Sequence, residues 1–364
     1  MRLRLRRPGH RQPDAGLPLT TAELDIEARA SGVRERLQRL ARALPGLQYA
    51  VTDAAGLRFE HCAGFADLRT RMQVTAETQF MAASCTKVVT AAALHALVDA
   101  GRVELDGSVT DHYPDHPYGR QITVRHLLAH TAGVPNPMPL NWLHRLDDAT
   151  FDEDRTLAAV MGKHPRLRSP PGERYHYSNL GYWLLGKVIE RASRSRYVSY
   201  VEAAVLARLP VSRRELGFSV DDPARLARGY ERAFSALGLF ARLAVRSSLR
   251  DGHDGPWLRF ARVAMNGPPY GGLFATARAF CAFLRAELAR EKDPALGWRA
   301  GTLAGAAYRG KPGGGPGFCG NVRVYPGPGL ATAWFANRMA VSEAKIVALT
   351  DAVDEGWLGP PPRR

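Results

Sequence analysis

The chain has 364 residues, 45% of them hydrophobic and 23% charged, which fits a globular protein with a self-sufficient core and excludes a disordered or fibrous one. Its formal net charge of +15 suggests a nucleic-acid partner, but the surplus is almost all arginine, scattered apart from Arg2, Arg4, Arg6 and Arg7, and no nucleic-acid module accompanies it. No run approaches 18 uninterrupted apolar residues, so no membrane-spanning helix is predicted.

In chain order, residues 1–18 lack periodicity and read as a flexible basic arm without the apolar core of a secretory signal; the expectation is a cytoplasmic protein. Thr20 followed by Glu23 forms a capping-box start. Leu24, Val33, Leu37, Leu40 and Leu44 then recur at roughly helical spacing, interrupted by Gly32, until Pro45-Gly46 ends the helix. Residues 48–52 and 57–63 are strand-like around a turn at 53–56. From 77 to 289 the pattern is mostly helical with long loops. Residues 321–325 and 330–336 form a second predicted hairpin, and Ser342 caps a last amphipathic helix on Ile346, Val347, Leu349 and Val353. The expected fold is α/β, of the α+β type. An antiparallel sheet from both chain ends (19–66 and 300–358) is flanked by terminal helices, a large helical region (67–299) is inserted, and 359–364 is a tail. The cleft is expected where the two regions meet.

The four cysteines, Cys62, Cys85, Cys281 and Cys319, form no C-x-x-C pair, and the 11 histidines show no H-E-x-x-H spacing, so neither a metal nor a cofactor is expected. Three segments can carry chemistry. Ser84 and Lys87 lie three apart at the start of an apolar run, which places them on one helix face. A serine hydroxyl needs a neighbouring base, and a lysine buried among apolar side chains loses its proton more easily. On spacing alone the pair is a weak signal, and a capping serine explains Ser84 about as well. Ser342 and Lys345 repeat the spacing as an N-cap and an exposed lysine. The second segment is Tyr177-Ser178-Asn179 at a loop-to-helix junction, where a phenol can relay a proton and a carboxamide can hold an amine; a capped helix start beside a packed tyrosine is the plainer reading. The third is Lys311-Pro312-Gly313-Gly314-Gly315, whose glycines let backbone approach a ligand, with Lys311 supplying charge at the rim; the plainer reading is a loop between strands.

Taken in order, the three segments resemble the β-lactamase-like serine hydrolases: class C β-lactamases, D-alanyl-D-alanine carboxypeptidases and related esterases. Residues 127–135 (LLAHTAGVP), 105–109 (LDGSV) and 271–276 (GGLFAT) are also similar to that family, and the likeness covers roughly 46–340. The resemblance implies an acyl-enzyme on Ser84 and a proton shuttle through Lys87 and Tyr177. It implies that Asn179, Lys311 and Gly313 orient the lysine or substrate, and that the backbone N–H groups of Ser84 and Gly314 form the oxyanion hole. Pro312 departs from the pattern, removing a hydroxyl and a backbone donor where a substrate carboxylate is often held. His130 is read as structural; Cys85, beside the nucleophile, has no assigned role.

The expected activity is therefore esterase-like cleavage of a small-molecule ester or amide, with D-Ala-D-Ala carboxypeptidase or β-lactamase activity as the alternative. A catalytically inactive binding protein with the same fold is the alternative of another class. No G-x-S-x-G supports an α/β-hydrolase elbow. Residues 234–250, apolar with interspersed arginines, can form a peripheral membrane contact or an acyl-binding lid, although an ordinary packed helix is the plainer expectation.

Overall fold

The computed structural model describes residues 21–137, 142–148, 150–290, 296–339 and 342–358; the predicted arm and tail, and Thr20 of the predicted capping box, lie outside them. Helix α1 (Thr21–Ala41) leads into strands β1 (Gly46–Asp53), β2 (Leu57–Asp67), β3 (Met72–Gln73) and β4 (Phe80–Met81), and a 3₁₀ turn at Ala83–Cys85 opens α2 (Thr86–Asp99). The middle of the chain holds α3 (Val124–Leu128), β5 (Leu143–Arg145), α4 (Glu153–Lys163), α5 (Asn179–Ser193), α6 (Tyr197–Ala204), β6 (Leu216–Gly217), β7 (Tyr230–Arg232) and α7 (Ala236–Ala244). Next come β8 (Arg250–Asp254), β9 (Trp257–Phe260), β10 (Val263–Met265), α8 (Pro268–Gly271), β11 (Phe274–Ala275) and α9 (Ala277–Leu288). Strands β12 (Arg299–Leu303), β13 (Ala306–Gly315), β14 (Phe318–Tyr325) and β15 (Leu330–Ala336) precede α10 (Glu343–Leu358).

As expected from the two terminal hairpin patterns, one antiparallel sheet draws on both chain ends, in the order β12-β13-β14-β15-β1-β2-β3. The join is β1 against β15, Leu47 facing Ala336 through Asp53 facing Leu330. Alternate side chains of β1 take opposite faces. Leu47, Tyr49 and Val51 pack with Val33 and Leu37 of α1 and Val353 and Trp357 of α10. Ala50 joins the larger core of the opposite face, with Phe280 of α9 and the α2 and α5 side chains. Beneath α10, Asp354 is fully buried and accepts from Tyr49, Tyr325 and Thr332. Arg323 is also fully buried; its guanidinium pairs with Asp351 at 2.7 Å and lies 3.7 Å from Asp354.

Two sequence expectations change. Gly32 does not interrupt the first helix: the ~1 kcal/mol a helical glycine costs is offset by the packing of Val33 and Leu37 beside it. The middle region carries three small sheets besides its helices: β10-β5, β4-β11-β6 and β7-β9-β8. Strands of two to five residues are too short for a period-of-two pattern to stand out in the sequence.

Candidate active site

Ser84 sits in the 3₁₀ turn before α2, next to Ala83, whose φ of 46° is left-handed for a residue with a Cβ. Such strain persists only where the surroundings enforce it. The capping explanation of Ser84 fails: neither the turn nor α2 receives a side-chain cap bond. The hydroxyl lies 2.7 Å from the Tyr177 phenol and 3.1 Å from Lys87 Nζ. One turn into α2, Lys87 is fully buried, its amine 5.0, 5.4 and 5.5 Å from the rings of Tyr177, Tyr182 and Tyr270. Burial, and secondarily the charge of Lys311, holds its pKa well below that of an ordinary lysine.

The amine has three neighbours. It donates to Asn179 Oδ1 at 2.8 Å and to the Tyr270 carbonyl at 2.7 Å, both pure acceptors. As an ammonium it also donates to the Ser84 hydroxyl. Once deprotonated, the amine has two N–H bonds for Asn179 and Tyr270 and one lone pair, which then faces Ser84. Burial raises the Tyr177 phenol far above its usual range, so it is present as O–H and not as a free tyrosinate.

Tyr177 and Asn179 are held by the start of α5. Ser178 is its N-cap, accepting from Gly181 N at 2.9 Å and donating to the Pro135 carbonyl at 2.9 Å. The plainer reading is thus right for Ser178, and the cap leaves the Asn179 carboxamide available for Lys87. Asn136 Oδ1 accepts from the Asn179 backbone N–H.

The glycine segment is the end of strand β13. Its partner β12 pairs only as far as Gly310, while β14 covers the other side through Gly315. Residues 311–315 therefore have a free edge, which faces the Ser84 turn. A Cβ at Gly313 would come 2.6 Å from the Ala82 carbonyl and 3.0 Å from Cys85 N and Sγ, whereas one at Gly314 would meet nothing nearer than 3.5 Å. Cys85 is a packing residue. It is fully buried, its thiol donates to the Lys311 carbonyl at 3.2 Å, and burial raises its pKa far out of the reactive range.

Lys311 is not at the rim. It is 2% exposed and does not line the cleft. Its inward side chain follows from strand alternation with Pro312, which does line the cleft. Its Nζ lies 3.3 Å from His130 Nε2, while His130 Nδ1 accepts from the Ser178 backbone N–H at 3.2 Å. A neutral imidazole with an accepting Nδ1 carries its proton on Nε2. That N–H finds a lone pair on Lys311 only in the neutral form of the amine. Burial, then the Arg299 charge, lowers Lys311 to about 7, and burial depresses His130 as well.

The cleft has a volume of about 290 Å³ and is lined by Ser84, Tyr177, Asn179, Gly313, Gly314 and Gly315, with Met265, Met339 and Ile346 as apolar wall. Ser342, expected as an N-cap, does accept from Lys345 N and also borders the cleft, as does Glu343, paired with Arg299. The Tyr270 carbonyl, the Asn136 amide and the Arg299–Glu343 pair had no residue-type signal of their own. The first is a backbone atom just ahead of the family-like segment 271–276. Among the described residues no group of His, Cys, Asp and Glu could hold a metal.

The chain is 32% identical to protein flp of Staphylococcus aureus (strain MW2) over 148 residues, 38% of this chain and 28% of that protein. It is 28% identical to penicillin-binding protein 4* of Bacillus subtilis (strain 168) over 157 residues, 42% of this chain and 34% of that one. It thus matches about a third or less of the length of these curated relatives. In structure it resembles the D-amino acid amidase of Ochrobactrum anthropi SV3 (TM-score 0.74, 22% identity, 91% of this chain and 99% of that one). It also resembles the octameric penicillin-binding protein homologue of Pyrococcus abyssi (TM-score 0.68, 20% identity, 90% and 76%). At these identities the structural likeness speaks to the fold. The beta-lactamase family model matches residues 33–353, nearly the whole chain, and the protein belongs to the beta-lactamase family.

Proposed function

We propose that this protein is a serine hydrolase that cleaves a neutral ester or amide through an acyl-enzyme on Ser84. The observation that carries the reading is the place of Lys87 Nζ, 3.1 Å from Ser84 Oγ with Asn179 Oδ1 and the Tyr270 carbonyl as its other partners: once deprotonated, the amine keeps two N–H groups for those acceptors and turns its lone pair to the Ser84 proton. Ser84 Oγ attacks the substrate carbonyl as its proton passes to Nζ, and the carbonyl π pair moves onto the oxygen. The backbone N–H groups of Ser84 and Gly314 hold that oxyanion. When the tetrahedral centre collapses, the bond to the leaving group breaks and the proton returns to it from Lys87 through Tyr177. Water then attacks the acyl ester by the same route in reverse, regenerating Ser84.

Esterase-like specificity is favoured by the cleft wall. Lys311 is buried behind it, Pro312 has neither hydroxyl nor N–H, and among the described residues no lysine or arginine lines it. A substrate carboxylate therefore has no counter-charge in the cleft itself. D-Ala-D-Ala carboxypeptidase or amidase activity is the second reading, favoured by the relatives and by the amidase of the same fold.

The test compares p-nitrophenyl esters of graded chain length with nitrocefin and a D-Ala-D-Ala peptide, alongside mass spectrometry after fluorophosphonate treatment. The proposal expects ester turnover and an adduct on Ser84, both lost in Ser84→Ala. Unchanged turnover in that variant refutes the nucleophile, and faster cleavage of the carboxylate-bearing peptide refutes the substrate class.

A further inference from the structure

Six large hydrophobic side chains are well exposed among the described residues, and four of them fall within ten residues of sequence: Phe234 (82%), Leu239 (49%), Phe240 (42%) and Leu243 (89%). The segment is a helix packed the opposite way from an ordinary core helix. Ser235 caps α7 by accepting from Gly238 N. Gly238, Ala241 and Val245 face inward, and Gly238 is pressed so close that an added Cβ would lie 1.9 Å from the Arg232 carbonyl. That contact forces the larger residues outward. Leu239 and Leu243, four apart, and Phe240 share the outer face, with Phe234 just ahead of the cap. A soluble surface scatters such residues singly, and a contiguous cluster marks an interaction surface.

The charge around the cluster selects the partner. From Phe234 to Arg250 the sequence contains Arg242, Arg246 and Arg250 and no acidic residue. Arg242 and Arg246 are exposed, and Arg232, also exposed, stands on the strand before the helix with its guanidinium 5.2 Å from the Trp257 ring. Apolar side chains projecting between arginines suit a membrane interface, where the former enter the headgroup–acyl boundary and the latter meet anionic headgroups. An apolar protein partner would need no such rim. The element is also tied to the cleft: Tyr230, on the strand leading into it, donates its N–H to Gly317 O and accepts from the N–H of Met339, a cleft-wall residue.

We propose that the face formed by Phe234 and α7 is a docking surface for an anionic lipid bilayer. The inference does not depend on the reaction carried out at Ser84.

The full chain is sedimented with vesicles of phosphatidylcholine alone and of phosphatidylcholine with phosphatidylglycerol, at low and high salt. It should pellet with the anionic vesicles, more weakly at high salt and least with the neutral ones. The Phe234→Ser, Leu243→Ser double variant should partition at least ~10-fold less, because each loses most of its insertable apolar area. Both side chains are exposed, so its thermal unfolding and turnover of a soluble ester should match the parent. Every protein retains the arginines at positions 2–7, so undiminished vesicle binding by the double variant would assign the binding to that segment and overturn the proposal. It is equally overturned if the parent stays in the supernatant, or if it forms a dimer that the double substitution dissolves without any vesicle binding.

Discussion

Replacing Lys311 by methionine should make the protein more stable near neutral pH. The side chain is 2% exposed, and burial, then Arg299, lowers its amine from the ordinary 10.5 to about 7. In the unfolded chain the amine keeps its proton up to its ordinary value, so between the two the native state binds fewer protons and stability rises with pH. At about 1.4 kcal/mol per tenfold change in proton affinity, that difference costs folding roughly 4–5 kcal/mol at neutral pH. Methionine fills similar volume without a charge to desolvate. It leaves the Nε2–H of His130 without its acceptor, a loss of about 1–3 kcal/mol. The net expectation is a gain of about 1–4 kcal/mol, or several degrees in Tm. Thermal unfolding of both proteins by circular dichroism at pH 7 and pH 10 checks it. Near pH 10 the unfolded lysine is itself losing its proton, so the difference should shrink to nothing or reverse. A variant less stable than wild type at pH 7, or a gap unchanged at pH 10, would show that Lys311 is charged in the native state and that the His130 tautomer argument is wrong.

Lys87→Ala removes the proton acceptor and should lower kcat by ~10²–10⁴-fold in steady-state assays with the fold intact. Because the base must be neutral, kcat/KM should rise with pH through a pKa well below that of an ordinary lysine, in the direction that burial imposes; a limb centred near 10.5 would contradict the buried-amine reading. Gly313→Ala places a methyl 2.6 Å from the Ala82 carbonyl and should push β13 off the Ser84 turn, costing ~10²-fold in activity, whereas Gly314→Ala, with 3.5 Å to its nearest neighbour, should keep most of it. Asp354→Ala strips three buried hydroxyls of their acceptor and weakens the pairing of Arg323, and denaturant titration should register a loss of about 3–5 kcal/mol.

Much of this was legible in the chain itself. Ser84, in the 3₁₀ turn, and Lys87, in the helix it opens, are only three residues apart, an interval that sets their proximity before any tertiary contact forms, and the loop-to-helix position of Tyr177 and Asn179 follows from Pro170-Pro171-Gly172 and the apolar run after Asn179. The two hairpin patterns at opposite ends similarly announced one antiparallel sheet, because each buries one hydrophobic face and needs the other to extend it. What periodicity cannot carry is a contact between distant segments. The Ser84–Tyr177 bond spans 93 residues, Lys87 to the Tyr270 carbonyl 183, and Lys311 to His130 181. Only the packed structure decided that a carbonyl with no side-chain signature would take a hydrogen of the base. It also decided that Lys311 would point inward from its strand, and that one glycine contact would turn the apolar side of α7 out to solvent. Such outcomes depend on burial and on which donors and acceptors a fold leaves over, and both come into being only when the distant segments meet.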